Sequence, residues 1–291
     1  MNILTFDIEE WFLECRGANR ISQYNKLDCT LNRLLNDLDE IGIKATFFCV
    51  GQLAKLFPEV VRKIVSHGHE VGCHSNVHTW LDKMDEATLR IDTMDALKAL
   101  ENVVGQKVIS YRAPAFSITE KNKWAINVLA DCGIENDASI FPTARDFGGF
   151  PSFQKDIPCR VSYQGSTLKE FPIGLTSLFG RKMAYSGGGY FRILPYWLVC
   201  NSMRKRDYNI CYFHLADLIH EEHKMLSRDK YEAYFKEPGT LRNRLSRFMK
   251  SNVGTGDAYK KLNRLLCDFK FMNIMEANSQ IDWNLAMTVY L

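Results

Sequence analysis

Two acidic residues and a pair of histidines in this 291-residue sequence have the spacing of metal ligands. Asp7 and Glu9 end an apolar, strand-like run, and the two-residue period of a strand places both carboxylates on one side. His74 and His78 can bind one cation together if the turn between them is helical. Two histidines and one carboxylate leave coordination positions open, as a catalytic metal site requires. Taken singly, each pair has an ordinary alternative: solvated loop acids, or a chance histidine spacing.

An arginine and a further histidine also stand where strand-like runs end. Arg112 could orient a carboxylate through a bidentate contact. His214 is a candidate proton donor, although a hydrogen-bonded core histidine is the alternative. His67 and His69 lie before or at the start of the third strand-like run, so we interpret them as structural. The candidate groups follow one another at successive strand ends, and this order indicates a catalytic site more strongly than any single member.

The elements that must position these groups alternate between strand-like and helix-like patterns. Strand-like runs cover residues 3–6, 45–50, 70–74, 107–112, 139–141, 208–215 and 271–275. Helical periodicity covers residues 27–41, 60–65, 89–100, 124–132, 195–206, 240–250 and 256–268. This alternation indicates βα units around a parallel sheet, and the carboxyl ends of barrel strands form an active-site rim. We therefore predict one barrel-like α/β domain over residues 1–291.

Two segments differ from this alternation. Residues 142–190 are rich in proline and glycine, which predicts an irregular or hairpin insertion along one face, and its glycines 187–189 form either a tight turn or a phosphate-binding loop. Residues 224–270 contain 12 Lys and Arg but 5 Asp and Glu, a net charge of +7. Their helices either pack on the barrel with a solvated basic side or contact an anionic carrier or the inner membrane surface.

The overall composition excludes several classes of protein. Hydrophobic residues make up 46% and charged residues 24%, which rules out a disordered or fibrous chain. A net charge of +3 is too balanced for a nucleic-acid-binding protein. The nine cysteines are odd in number and include no Cys-x-x-Cys motif, so we expect reduced, mostly buried thiols. The sequence shows no membrane span and no signal peptide, and we expect a cytoplasmic protein.

Together these motifs resemble the polysaccharide deacetylase (NodB-homology) superfamily of carbohydrate esterases. The resemblance rests on residues 5–7, 74–78, 112–114 and 213–214. Residues 6–12, 111–117, 137–142 and 187–197 are similar to a branch linked to bacterial exopolysaccharide or O-antigen gene clusters. The resemblance covers residues 1 to about 218 and implies a distorted (β/α) barrel.

The resemblance also implies one divalent metal ion, most often Zn²⁺, bound by Glu9, His74 and His78. Superfamily members commonly have two adjacent aspartates at the first motif, whereas here the acidic ligand follows Asp7 by two residues. Glu10 is therefore a rival for the same role.

The implied catalytic residues come from four positions of the chain. Asp7 is the general base, His214 is the general acid, and Arg112 holds Asp7. The backbone N–H of Ala115, where many members have an aromatic residue, helps to stabilise the oxyanion.

Less direct roles concern the substrate and the general acid. Tyr190 and Arg192 are candidate substrate-binding residues, and either Asp137 or Asp217 tunes His214.

The activity predicted on this basis is removal of an N-acetyl group from an amino sugar of a surface polysaccharide, an O-antigen or its cytoplasmic precursor. Two alternatives stay open: N-deformylation of an amino sugar, and a barrel that binds glycan without catalysis. The expected partner is an acylated amino sugar in glycan, lipid-linked or nucleotide-linked form. We expect no nucleic-acid partner, and peripheral contact with the inner membrane is one further expectation. The sequence leaves the oligomeric state open.

Overall fold

The computed structural model describes residues 1–15, 20–145, 148–178, 180–219, 224–235 and 238–291. Within these residues, one mostly parallel sheet contains nine strands in the order β10-β1-β2-β3-β4-β5-β7-β6-β11, and only β6 and β7 are antiparallel neighbours. These strands are β1 (Asn2–Ile8), β2 (Thr46–Cys49), β3 (Glu70–Cys73), β4 (Ser110–Tyr111), β5 (Asn136–Asp137), β6 (Cys159–Tyr163), β7 (Ser166–Glu170), β10 (Asn209–His214) and β11 (Thr288–Tyr290). A separate hairpin pairs β8 (Leu175–Leu178) with β9 (Arg181–Ala184).

Helices connect most of the parallel strands. They are α1 (Glu10–Glu14), α2 (Arg20–Glu40), α3 (Gly51–Leu56), α4 (Pro58–Ser66), α5 (Glu86–Val104), α6 (Ala125–Asp131), α7 (Gly188–Ile193), α8 (Tyr196–Arg204), α9 (Arg228–Phe235), α10 (Leu241–Asn252), α11 (Ala258–Asp268) and α12 (Ile274–Gln280). Local signals fix several ends. Asp85 caps α5 by accepting a hydrogen bond from Thr88 N, and Gly105 ends the helix in the left-handed region.

The core lies between the sheet and these helices. Strands β1, β2 and β3 are buried on both faces, which explains why they appear in the sequence as continuous apolar runs. Phe6 on β1 stacks against Phe47 on β2 with ring centroids 5.0 Å apart, and the buried leucines of α2 belong to the same apolar core. The buried strands thereby form a rigid support for the residues at their carboxyl ends.

The predicted α/β class is confirmed, and the sheet is consistent with the distorted barrel. No pairing between the edge strands β10 and β11 is found among the described residues. The hairpin expected in the 142–190 insertion is present as β6 and β7, and β8 and β9 add a second one. The single-domain organisation stays a prediction.

Two predicted strands differ from the structure: one lies at other residues, and the other is not a strand. The strand expected at 139–141 lies earlier, as β5. The strand expected at 271–275 is reduced to a single bridge between Met272 and Ile3, after which α12 begins. A reciprocal capping box between Asn273 and Glu276 fixes this helix start, and the chain's last strand is β11.

Two expectations about composition can also be compared with the structure. All nine cysteines are free and six of them are buried, as expected for reduced thiols. Among the described helices, none is both long enough and apolar enough to cross a membrane.

Candidate metal centre and active site

Three predicted ligands come together beyond the carboxyl ends of β1 and β3. Glu9, His74 and His78 each present one ligand atom, and these atoms lie within 4.8 Å of one another. His74 Nε2 is 3.5 Å from Glu9 Oε2, and His78 Nε2 contacts the same oxygen. Two imidazole nitrogens and one carboxylate oxygen therefore converge on one point.

The loop that joins the two histidines is not the helical turn that the spacing suggested. Ser75 and His78 both have positive φ, 66° and 59°, so two left-handed residues reverse the chain instead. Neighbouring elements hold this unusual loop in place. Asn76 N donates to Asp92 Oδ2 of α5 at 2.9 Å, and Gly51 N at the start of α3 donates to the Ser75 carbonyl at 2.9 Å.

The donor set fits a divalent transition metal such as zinc. His74 Nδ1 lies 2.7 Å from the carbonyl oxygen of Arg112, an interaction that fixes the ring and leaves Nε2 directed toward Glu9. Glu9 Oε2 is buried, and no hydrogen bond of good geometry reaches it within the described part of the chain. Burial raises the pKa of Glu9, but the two histidines and the charge of His214 outweigh it and hold this pKa well below its usual value. An anionic carboxylate between two imidazoles is the electrostatic environment that a cation requires.

Glu10, the rival ligand, points to a different set of partners. Its Oε1 accepts a hydrogen bond from Ala216 N at 2.8 Å, and its Oε2 accepts one from Glu9 N at 3.3 Å. Burial, reinforced by the charge of Glu9, raises the pKa of Glu10 to about 8. The side chain thus ties the start of α1 to the segment after β10, and the three-residue ligand group does not include it.

A buried ion pair joins the predicted base to the predicted arginine. Arg112 Nη1 donates to Asp7 Oδ1 at 2.8 Å, and the two side chains are 0% and 3% exposed. The guanidinium also donates to Thr5 Oγ1 and to the carbonyl of Ala138, and it lies over the ring of Phe48. These contacts fix one oxygen of Asp7 and leave the other on the side of His214, whose Nε2 is 3.9 Å away.

His214 is held by Asp217, one of the two candidates that the sequence left open. Asp217 Oδ2 accepts from His214 N at 3.1 Å and lies 3.2 Å from its Nδ1. Burial lowers the pKa of His214, but Asp217 and the charges of Glu9 and Asp7 raise it well above its ordinary value. The other candidate, Asp137, accepts a hydrogen bond from Ser139 Oγ, and no contact between Asp137 and His214 is found among the described residues.

Arg192, predicted to bind substrate, lies behind this pair. Its Nε is 3.3 Å from Asp217 Oδ1, so a chain of contacts runs from Arg192 through Asp217 to His214. No sequence pattern indicates this contact, because the two residues belong to different elements, α7 and the turn after β10. A substrate-binding role for Arg192 or for half-buried Tyr190 stays a prediction.

The remaining predicted residues lie in the turn after β4 and at the start of α7. Ala115 has a φ of 55° in the turn after β4, and its role as an oxyanion donor stays a prediction. Gly187 lies against Tyr212, where an added Cβ would be 2.3 Å from the ring and 2.4 Å from the carbonyl oxygen. Gly187 is extended and bridges to Tyr212, and Gly188 begins α7, so these glycines form a helix start rather than an isolated tight turn, and a phosphate-binding role stays a prediction.

The histidines interpreted as structural lie away from this group. His69 Nδ1 accepts a hydrogen bond from Ala45 N at 3.2 Å, and His67 Nδ1 lies 2.5 Å from Asp39 Oδ2. The spacing of His220 and His223 differs from that of a zinc-protease motif and predicts a solvated loop, but residues 220–223 lie outside the described residues.

Two family models match adjoining parts of the chain. Residues 3–136 match the model described as "Polysaccharide deacetylase", and residues 138–278 match one described as "Domain of unknown function (DUF3473)". The three candidate ligands, Asp7 and Arg112 belong to the first match. His214 and Asp217 belong to the second, so the candidate site combines residues from both.

Individual proteins are similar to the first part of the chain. A peptidoglycan-N-acetylglucosamine deacetylase from Bacillus cereus is 33% identical over 94 residues, which are 32% of this chain and 34% of that protein. A chitooligosaccharide deacetylase from Bradyrhizobium sp. is 28% identical over 97 residues, which are 33% of this chain and 42% of that protein. The chain therefore spans less than half the length of either relative.

A solved structure extends the comparison to the whole fold. The crystal structure of a protein from Mycobacterium smegmatis, assigned as a polysaccharide deacetylase, matches with a TM-score of 0.67 at 20% identity. The match covers 100% of this chain and 92% of that one, which shows a shared fold.

Proposed function

We propose that the protein is a metal-dependent carbohydrate N-deacetylase, on the premise that residues 3–136 match the polysaccharide deacetylase family model. The observation that carries the proposal is the convergence of the three candidate metal ligands, the Asp7 carboxylate held by Arg112 and the His214 imidazole held by Asp217. His214 Nε2 lies 3.9 Å from Asp7 Oδ2 and 3.8 Å from Glu9 Oε1. Acid, base and metal ligands thus surround one small volume, as hydrolysis of an amide requires.

Glu9, His74 and His78 would hold the metal ion, for which we propose Zn²⁺. A bound divalent ion supplies a Lewis acid that polarises the amide carbonyl and makes water more acidic. The backbone N–H of Ala115 is proposed as a second group that stabilises the developing oxyanion.

Asp7 and His214 would divide the proton transfers between them. Asp7 Oδ2 would accept a proton from the attacking water while Arg112 holds Oδ1. His214, kept protonated by Asp217, would donate a proton to the amine as the carbon–nitrogen bond breaks. Water is consumed, and the products are acetate and a free amino sugar.

For the substrate we propose an N-acetylated amino sugar destined for a bacterial surface polysaccharide or O-antigen. The two curated relatives are deacetylases of peptidoglycan N-acetylglucosamine and of chitooligosaccharide, which supports an amino sugar. The motifs at residues 111–117 and 187–197 support a glycan-assembly branch. We propose a precursor inside the cell, lipid-linked or nucleotide-linked.

The proposal is tested by acetate release from chitooligosaccharide after the purified protein is supplied with zinc. Asp7→Asn and His214→Ala should each lower kcat/KM by about 10²–10⁴. His67→Ala is the matched control, because His67 lies outside the site, and its activity should equal that of the wild type.

The measurement also separates the alternatives. Formate release from an N-formylated sugar, without acetate release from the acetylated one, would identify a deformylase. Glycan binding without release of either acid would leave a non-catalytic barrel.

A further inference from the structure

Helix α10 exposes its apolar side. Leu241, Leu245, Phe248 and Met249 lie on one side of the helix, and they are 66%, 46%, 36% and 52% exposed. A surface helix normally buries its apolar side against the core. One interpretation of the sequence is that this helix packs its apolar side on the barrel and leaves its basic side in solvent. The exposed apolar side chains of α10 contradict that arrangement.

Polar residues of α10 take the positions nearer to the protein. Asn243, Arg244 and Arg247 are half-buried, and Asn243 Nδ2 donates to the Pro238 carbonyl at 2.9 Å. The apolar side of α10 is therefore the more exposed of its two sides. Exposed, contiguous apolar surface of this kind marks a site of interaction.

The exposed surface continues beyond α10 onto the corner between α7 and α8. Gly254 lies so close to the backbone of Arg192 that an added Cβ would be 2.5 Å from its carbonyl oxygen. Val253 on one side of this contact, and Ile193 and Trp197 on the other, are 44%, 54% and 63% exposed. Aromatic and aliphatic side chains of this type are enriched where proteins enter the interface of a bilayer.

The charge of this surface indicates what it contacts. Helix α10 contains no acidic residue, and Arg242 and Arg244 fall on opposite borders of its apolar strip. The surrounding residues 224–270 carry a net charge of +7, whereas the whole chain carries +3. A second copy of this chain would bring more positive charge to this surface, whereas anionic phospholipid headgroups would neutralise its arginines.

We propose that α10 and the α7–α8 corner dock the protein on an anionic phospholipid surface, with the apolar strip of α10 in the interfacial region. Arg192 connects this docking surface to the site, because its side chain contacts Asp217, which holds His214. Docking would bring the candidate site to a glycan carried on a membrane lipid, a consequence that depends on the proposed deacetylase function. The docking itself does not.

Co-sedimentation of the purified full-length protein with vesicles tests the proposal. Vesicles of phosphatidylcholine with phosphatidylglycerol should bind the protein, and pure phosphatidylcholine vesicles or high salt should release most of it. The variant Leu245→Ser/Met249→Ser should partition about tenfold less, because the exposed apolar strip is lost. Arg242→Glu should weaken binding by about fivefold or more.

Ile91→Ser/Met94→Ser on α5 is the matched control, because these side chains are also exposed, at 65% and 56%. Its binding should equal that of the wild type. Equal binding to neutral and anionic vesicles, or binding that the α10 variants leave unchanged, would overturn the proposal. So would a wild-type dimer that the Leu245→Ser/Met249→Ser variant dissociates, since a second copy would then cover the surface. Acetate release from soluble chitooligosaccharide should be the same in all variants, so failure to dock is distinguishable from failure of the proposed function.

Discussion

Among mutations at the candidate site, those that break the buried ion pair of Asp7 and Arg112 should lower the free energy of unfolding the most. The nitrogen and oxygen are 2.8 Å apart and both side chains are almost fully buried, so neither charge can be solvated alone. At an effective dielectric constant of about 20, the attraction across this distance is about 6 kcal/mol. Removing one partner of a buried pair typically costs about 3–5 kcal/mol.

Asp7→Asn removes the negative charge and almost no volume, so it isolates the electrostatic contribution. We expect its free energy of unfolding to fall by about 3–5 kcal/mol, with a similar fall for Arg112→Met. The double variant leaves no unpaired charge, so the two losses should not add, and the coupling energy should exceed about 2 kcal/mol.

Guanidinium denaturation of all four proteins with a metal chelator present measures this cycle. The exposed pair of Arg90 and Asp131, with a 2.7 Å contact, is the control, and its cycle should show much smaller coupling. Losses at Asp7 and Arg112 that add to within about 0.5 kcal/mol would refute the conclusion that Arg112 is the counter-charge of Asp7.

Three further changes test other parts of the structure. Asp217→Asn should lower kcat/KM for acetate release by about 10²–10³. It should also move the alkaline limb of the pH profile to lower pH, because His214 loses the group that raises its pKa. An unchanged pH profile would contradict this role of Asp217. Gly187→Ala should lower the free energy of unfolding by about 1–3 kcal/mol, because its Cβ would overlap the aromatic ring facing it on β10. Gly189→Ala, whose nearest contact would be 3.7 Å away, should unfold in guanidinium like the wild type. Burial lowers the pKa of His69 from 6.5 to about 4. Between pH 8 and pH 5 the imidazole therefore gains a proton only in the unfolded state, and the free energy of unfolding falls by about 2 kcal/mol over this range. His69→Gln should show a loss that is smaller by this amount when both proteins are denatured at the two pH values.

The positions of the site residues could be predicted because strand ends are local features of the sequence. Apolar runs gave β1, β3 and β10, and residues just beyond them meet because parallel strands share one carboxyl edge. Asp7 and His214 are direct neighbours in the strand register, although 207 positions separate them in the chain numbering.

The details that the sequence did not give depend on backbone conformation and on contacts between distant elements. A His-x-x-x-His spacing suits a helical turn, but Ser75 and His78 adopt left-handed φ because the loop is hydrogen-bonded to α3 and α5. The choice of Asp217 over Asp137 rests on a turn after β10 that has no distinct composition.

The sequence also could not predict that the apolar side of α10 faces outward. Amphipathic periodicity identifies the helix but not the surface to which each side turns. Only the half-buried state of Asn243 and Arg244 shows that the polar side faces the protein.

The most direct test of the central claim is zinc binding to the purified, metal-free protein, measured by calorimetry. The wild type should bind about one ion per chain, as expected for a single site with three protein ligands. Glu9→Ala and His74→Ala should lose this binding, and Glu10→Gln should keep it, because Glu10 bonds to Ala216 rather than to the ligand group. Absence of binding in the wild type, or binding that depends on Glu10 and not on Glu9, would contradict the proposed metal centre.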